Sequence, residues 1–181
     1  MKHSIIRTQI LLLVILYCIA VSVDVQAAGS IETAGDVLVI ALPTVAAGLT
    51  LGFRDGEGAL ELGKSMALAI GATYGLKFSI DEKRPNGDNE SFPSAHASIS
   101  FASAEFVRNR YGWSYGIPAY VAATFVAYSR VESKQHYTHD VIAGAAIGIG
   151  SSYLFTKPYK GWHIQPDVTH ATYGIRLSRS W

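Results

Sequence analysis

Residues 115–156 read YGIPAYVAATFVAYSRVESKQHYTHDVIAGAAIGIGSSYLFT. An uncharged stretch runs to Ser129, a polar link follows from Arg130 to Asp140, and a second uncharged stretch fills Val141 to Thr156. Two apolar helices joined by a short polar link suit an up-and-down bundle. The second is rich in small residues (Gly144, Ala145, Ala146, Gly148, Gly150), which let helix backbones approach closely.

The same alternation extends toward the N-terminus. Val37 to Phe53 carries no charge, although Pro43, Gly48 and Gly52 interrupt it. Ala59 to Leu76 is helical by composition, and Ala95 to Arg110 forms a further stretch. Turn formers separate them at Asp55-Gly56-Glu57-Gly58, Pro85-Asn86-Gly87-Asp88-Asn89 and Tyr111-Gly112-Trp113. The expectation is an all-α fold, a bundle of about five core helices. Beyond it, Tyr173, Ile175 and Leu177 alternate, which suits a short edge strand or an amphipathic tail.

At the other end, Lys2 and Arg7 precede fourteen uncharged residues, Ile10 to Val23. That length suits a signal-peptide core and falls short of the roughly 20 residues of a membrane span. Val25-Gln26-Ala27 offers small residues at a cleavage site. The expected organisation is a signal peptide over 1–27 (or an uncleaved membrane anchor), a helical domain over 28–160 and a tail over 161–181. Export points to the bacterial cell envelope.

Composition narrows the classes. Lysine plus arginine total 15 against 14 aspartates and glutamates, too even for a nucleic-acid binder. Charged residues are 16% and hydrophobic ones 49%, which excludes disorder and fits a membrane-associated chain. One cysteine, Cys18, leaves no disulfide scaffold and no cysteine-built zinc site. Uncharged runs of 17, 19 and 16 residues border the length of a membrane span. Cationic residues at the two ends of the bundle balance, so charge asymmetry alone assigns no orientation.

Three polar clusters interrupt the apolar background: Lys77-x6-Arg84-Pro85, Pro93-Ser94-Ala95-His96, and Ser129-Arg130-x5-His136-x3-Asp140. In an up-and-down bundle the end of the second core helix, the start of the third, the end of the fourth and the start of the fifth share one end. Clusters far apart in sequence therefore meet by parity. Lys77, Arg84 and Arg130 bring positive charge without matching carboxylates, so an oxyanion is the natural guest. Ser94 and the free N–H groups opening a helix add donors. His136 and Asp140, four apart, are expected on one helix face, where the carboxylate fixes the imidazole tautomer. His96 is a second imidazole on another helix, and the pair suggests a nucleophile or base with a proton donor.

At these residues the chain resembles the type-2 phosphatidic acid phosphatase superfamily, over about residues 58–156. That family includes lipid phosphatases, bacterial non-specific acid phosphatases and vanadium haloperoxidases. Its signature is Lys-x6-Arg-Pro, Pro-Ser-Gly-His and Ser-Arg-x5-His-x3-Asp, and all three parts stand here in order. The resemblance implies that His136 attacks phosphorus to give a phosphohistidine. It implies that Asp140 orients His136 and that His96 protonates the leaving oxygen. Lys77, Arg84, Ser94 and Arg130 would hold the phosphoryl oxygens, with no metal or other cofactor. Ala95 replaces the signature glycine, and the seven-residue link Asn86 to Phe92 leaves little room for a covering loop, favouring a large or lipid substrate.

The expected function is an envelope phosphatase acting on a phosphomonoester or pyrophosphate, on a lipid in the membrane. The substrate partner is a phosphorylated lipid or a small phosphoester. The site faces the periplasm from the inner membrane, or the protein is a soluble periplasmic acid phosphatase. A vanadate-dependent haloperoxidase would use the same oxyanion cage, but the short chain counts against it. A non-catalytic lipid- or phosphate-binding protein would have little need for His96, His136 and Asp140 together. A metal cluster of His136, His139 and Asp140 is disfavoured by the nearby cations. Glu105 is expected as a buried or interhelical partner, and His139 at the rim.

Overall fold

The uncharged stretches become helices, and those starting at Ile31 and Thr138 take in several polar residues before their apolar runs begin. A computed structural model of the chain describes residues 31–159, 161–169 and 172–180, the last two segments by backbone alone. The helices are α1 (Ile31–Gly52), α2 (Gly56–Ser79), α3 (Ala95–Tyr111), α4 (Trp113–Glu132) and α5 (Thr138–Phe155). They are followed by β1 (Gly161–Thr169) and β2 (Thr172–Ser180), an antiparallel pair in which Ile164 faces Leu177 in register. The signal-peptide reading of 1–27 lies outside the described residues.

Helix α3 is central and packs against each of the other four. Its fit to α5 depends on two glycines. A Cβ at Gly144 would overlap the Ser94 carbonyl, and one at Gly148 would overlap the Ser98 carbonyl and stand 2.7 Å from the Ala102 nitrogen. Gly150, by contrast, meets nothing within 4 Å. Of the three glycines on α5, Gly144 and Gly148 are therefore demanded by close approach.

The interior is unusually polar and the exterior unusually apolar. Ser65, Thr73, Ser98, Ser103 and Ser152 are buried between helices, and their hydroxyls are satisfied within the bundle. Thr73 donates to Ser98 Oγ at 2.9 Å and Ser152 to the Ala102 carbonyl at 2.7 Å. Meanwhile Ile40, Leu51, Phe78, Val121, Ile142 and Leu154 are exposed. Water-soluble bundles bury such residues, whereas a bilayer solvates them and lets small and hydroxyl residues mediate helix packing. By length and hydropathy, α1 is the one described helix that could cross a membrane by itself.

The end remote from the three clusters is pinned by Arg110. Its guanidinium grips Asp55 twice, at 2.7 and 2.5 Å, and also reaches Glu61 Oε2 at 3.1 Å and the Lys157 carbonyl at 2.8 Å. Asp55 in turn caps α2 by accepting from the Gly58 N–H at 2.9 Å. Burial pushes the Asp55 carboxyl upward, but hydrogen bonds from Arg110, Gly58 and Tyr111 outweigh it and hold it below the usual range. Glu105 is buried on α3, where it accepts from Arg108 and from Tyr120 of α4.

Gly148→Ala is expected to destabilise the bundle by about 1–3 kcal/mol through backbone overlap. Gly150→Ala should leave stability unchanged or slightly raised, since alanine is the better helix former. Thermal unfolding of the two variants in detergent checks the contrast.

Candidate active site

The connection from α2 to α3 is a tightly closed loop. Arg84 N–H donates to the Asp88 carbonyl at 2.7 Å, Ser91 N–H to the Glu82 carbonyl at 2.8 Å, and Gly87 turns the chain with φ of 97°. Lys77, buried in the last turn of α2, donates from Nζ to the carbonyls of Glu90 and Ser91. The first cluster is thereby folded back onto the start of α3.

Ser94 is the N-cap of α3, its hydroxyl accepting a long 3.4 Å contact from the Ala97 N–H. Its own N–H donates to the Asp140 carbonyl at 3.0 Å, joining the second cluster to the third. The Asp140 carboxylate is fully buried and accepts from Ser91 Oγ at 2.5 Å and from the Tyr137 N–H at 2.9 Å. All three clusters thus meet around one aspartate.

The relation of His136 to Asp140 differs from the expected helix-face pair. Helix α5 begins at Thr138, so His136 precedes it, in the link, while Asp140 sits in the first turn. The carboxylate turns back to satisfy an N-terminal N–H of the helix, as such positions require. His136 Nδ1 then lies 3.4 Å from Asp140 Oδ2, within ion-pair range but outside hydrogen-bond geometry. Buried side-chain atoms lacking a hydrogen-bond partner among the described residues include Arg84 Nε, His136 Nδ1 and Asp140 Oδ1, all in this cluster.

Electrostatics around His136 favour the neutral ring. Burial, with Lys77 and Arg84 nearby, outweighs Asp140 and pushes its imidazole down to about 4. Arg84 Nη1 donates to Gln135 Oε1 at 2.9 Å, placing this arginine beside the His136 segment. Arg130, buried at the end of α4, uses Nε on Ser129 Oγ at 3.2 Å, Nη1 on Asp36 Oδ1 at 2.8 Å and Nη2 on the Glu32 carbonyl at 2.6 Å. His96 Nε2 stands 3.1 Å from the same Asp36 oxygen. Ala95 is half-buried at the opening of α3.

The structure therefore brings together Lys77, Arg84, Ser94, His96, Arg130, His136 and Asp140. It adds Asp36, Glu32, Ser91 and Gln135, which sequence reasoning passed over. Asp36 and Glu32 carried one signal, as acids opening an otherwise uncharged apolar helix. His139 is exposed and faces Glu82 Oε1 at 2.9 Å, between the rings of Tyr137 and Phe92. Among the described residues a cation-compatible grouping is Glu82, His139 and Asp140, with His136 outside it. Ser91 and Tyr137 bind Asp140 Oδ2, while His139 Nε2 stands 3.0 Å from its Oδ1.

Comparison with known proteins matches the chain to one family. The PAP2 superfamily model matches residues 58–163. A lipid A 4'-phosphatase of Helicobacter pylori is 32% identical over 170 residues, covering 83% of this chain and 85% of that one. A lipid A 1-phosphatase of Porphyromonas gingivalis is 37% identical over 89 residues, or 46% of this chain and 20% of that one. In fold, the chain is similar to the crystal structure of Aquifex aeolicus LpxE, with a TM-score of 0.53 and 21% identity over 66% of this chain and 83% of that one.

An imidazole lowered to about 4 stays neutral as pH falls through mild acid and gains its proton only near pH 4. Nitrogen NMR of labelled histidine should find His136 neutral at pH 5. A midpoint near the ordinary value of about 6.5 would contradict this reading of its surroundings.

Proposed function

Because the chain belongs to the PAP2 superfamily, we propose that the cluster around His136 is the catalytic centre of an envelope phosphatase that dephosphorylates a lipid through a phosphohistidine. Membership, together with the similarity to lipid A phosphatases, makes the chain a phosphoester hydrolase. The observation that carries the site assignment is the buried Asp140, to which all three clusters are tied. Similarity along most of its length to a lipid A 4'-phosphatase makes a phosphorylated lipid A the first substrate to test.

The chemistry follows from the geometry. Lys77, Arg84, Arg130 and the donors opening α3 at Ser94 hold the non-bridging oxygens and offset the charge that develops on them. His136 is neutral, and with Nδ1 turned toward Asp140 its Nε2 is the nitrogen left to attack. As the N–P bond forms, the ester P–O bond breaks, and His96 gives its proton to the departing oxygen. Asp140 stabilises the phosphoimidazolium. Water then attacks phosphorus, His96 takes its proton, the N–P bond breaks and inorganic phosphate leaves.

The apolar exterior and polar interior support a bilayer setting for the bundle. In this reading the catalytic end faces the periplasm. Counting every cation, the two ends balance. Among the described residues, those at this end outside the cage are Lys83 and Lys134, against Arg54, Arg108, Arg110 and Lys157 at the opposite end, and that remainder is what the positive-inside rule favours. Residues 1–27 are the export signal of this scheme, 28–160 the phosphatase domain and 161–181 a tail.

Purified protein in detergent should release phosphate from lipid A, and His136→Ala should lower the rate by about a thousandfold or more. Orthovanadate should inhibit, and a metal chelator should leave the rate unchanged. Release that survives His136→Ala would contradict the mechanism.

A further inference from the structure

Helix α1 lies outside the three clusters, yet its first two turns form one wall of the site. The contact depends on Gly35, where a Cβ would overlap Ser129 Oγ and stand 2.7 Å from Arg130 Nη2. Without a side chain there, the α1 backbone presses against the end of α4. This brings the Glu32 carbonyl to Arg130 and the Asp36 carboxylate between Arg130 and His96. The Glu32 carboxylate accepts from Gln135 Nε2 at 3.0 Å, and Gln135 in turn holds Arg84.

Asp36 differs from the structural ion pair at Arg110. Its side chain is 50% exposed, whereas Asp55 is buried. It touches the proton donor itself, and its Oδ1 serves two cage residues at once, Arg130 Nη1 at 2.8 Å and His96 Nε2 at 3.1 Å. Arg130 commits three of its five N–H groups to Ser129, Asp36 and Glu32, so two remain for a phosphoryl oxygen. His96 is faced by cations from two elements, Arg130 of α4 and Arg84 of the α2–α3 connection, and by the carboxylate of Asp36 from α1. Burial first, and then the two arginines, oppose a protonated imidazole. Only Asp36 favours one.

We infer that Asp36 is a positioning residue for proton transfer: its carboxylate orients His96 and offsets part of what opposes a proton on it, so that the imidazole can deliver the proton taken by the leaving oxygen. The inference rests on the phosphatase reading and deepens it. Loss of Asp36 should matter in proportion to how much the leaving oxygen needs a proton. An alkyl phosphate, as on a lipid, leaves as a strongly basic alkoxide unless protonated. A 4-nitrophenyl phosphate leaves as a stable phenolate and needs little help.

The test is the ratio of kcat/KM for a lipid alkyl phosphate to kcat/KM for 4-nitrophenyl phosphate, measured on one preparation of each variant. Both rates scale with the folded fraction, so partial unfolding cancels from the ratio. Asp36→Asn should lower the ratio by about ten- to hundredfold, with His96→Ala lowering it at least as far. Asp36→Glu, which keeps the charge, should recover part of it. An unchanged ratio in Asp36→Asn would overturn the inference alone, leaving Asp36 a structural contact. So would a faster reaction with both esters, which would mark the carboxylate as an occupant of the cage. A wild type that releases phosphate from neither ester would overturn the phosphatase reading and this inference with it.

Discussion

The site depends on one buried carboxylate. Asp140 accepts from a hydroxyl of the α2–α3 connection and from the backbone of the α4–α5 link, while its carbonyl receives the N–H that opens α3. A charge taken fully out of water is tolerated only when several donors satisfy it, so its partners are not free to drift. Those partners lead directly to the chemistry: Ser91 follows the loop that carries Arg84, Tyr137 follows His136, and Ser94 precedes His96. Fixing Asp140 fixes the frame in which the two imidazoles and the cations face each other.

The second constraint is the solvent. Serines and threonines fill the spaces between helices, glycines admit α5 to α3, and large apolar side chains point outward. Such a bundle fits a membrane protein, in which helices associate through small residues and interhelical hydrogen bonds. In the proposed membrane setting, the end built from helix termini and short links lies where a lipid's phosphate can meet it. The opposite end is held shut by Arg110, whose carboxylate partners neutralise it.

Much of this was legible because the relevant residues break an apolar background. Charged residues between uncharged stretches marked the helix ends, and parity alone placed Lys77, Arg84, Ser94, His96, Arg130, His136 and Asp140 at one end. The misses have physical causes. A spacing of four suggested a shared helix face for His136 and Asp140, but a carboxylate accepting from the N-cap N–H of Tyr137 starts the helix after His136. Asp36 served only as the boundary of an uncharged run, since a sequence does not show which face of α1 meets Arg130. Ser91 sits in an irregular connection with no period to read. In the tail, Tyr173, Ile175 and Leu177 alternate as a strand should, whereas β1 contains Pro166, which weakens any strand signal.

The central claim, that His136 is the nucleophile held by Asp140, is tested most directly by capturing its intermediate. The enzyme would be mixed with substrate, quenched in alkali within milliseconds and digested, and the phosphate located by mass spectrometry. Phosphohistidine survives alkali and is lost in acid. The account predicts acid-labile phosphate on His136, absent from His136→Ala and accumulating in His96→Ala with an activated aryl phosphate, where water attack lacks its base. Active enzyme that never carries phosphate on His136 would contradict it, and water would then be the group that attacks phosphorus directly.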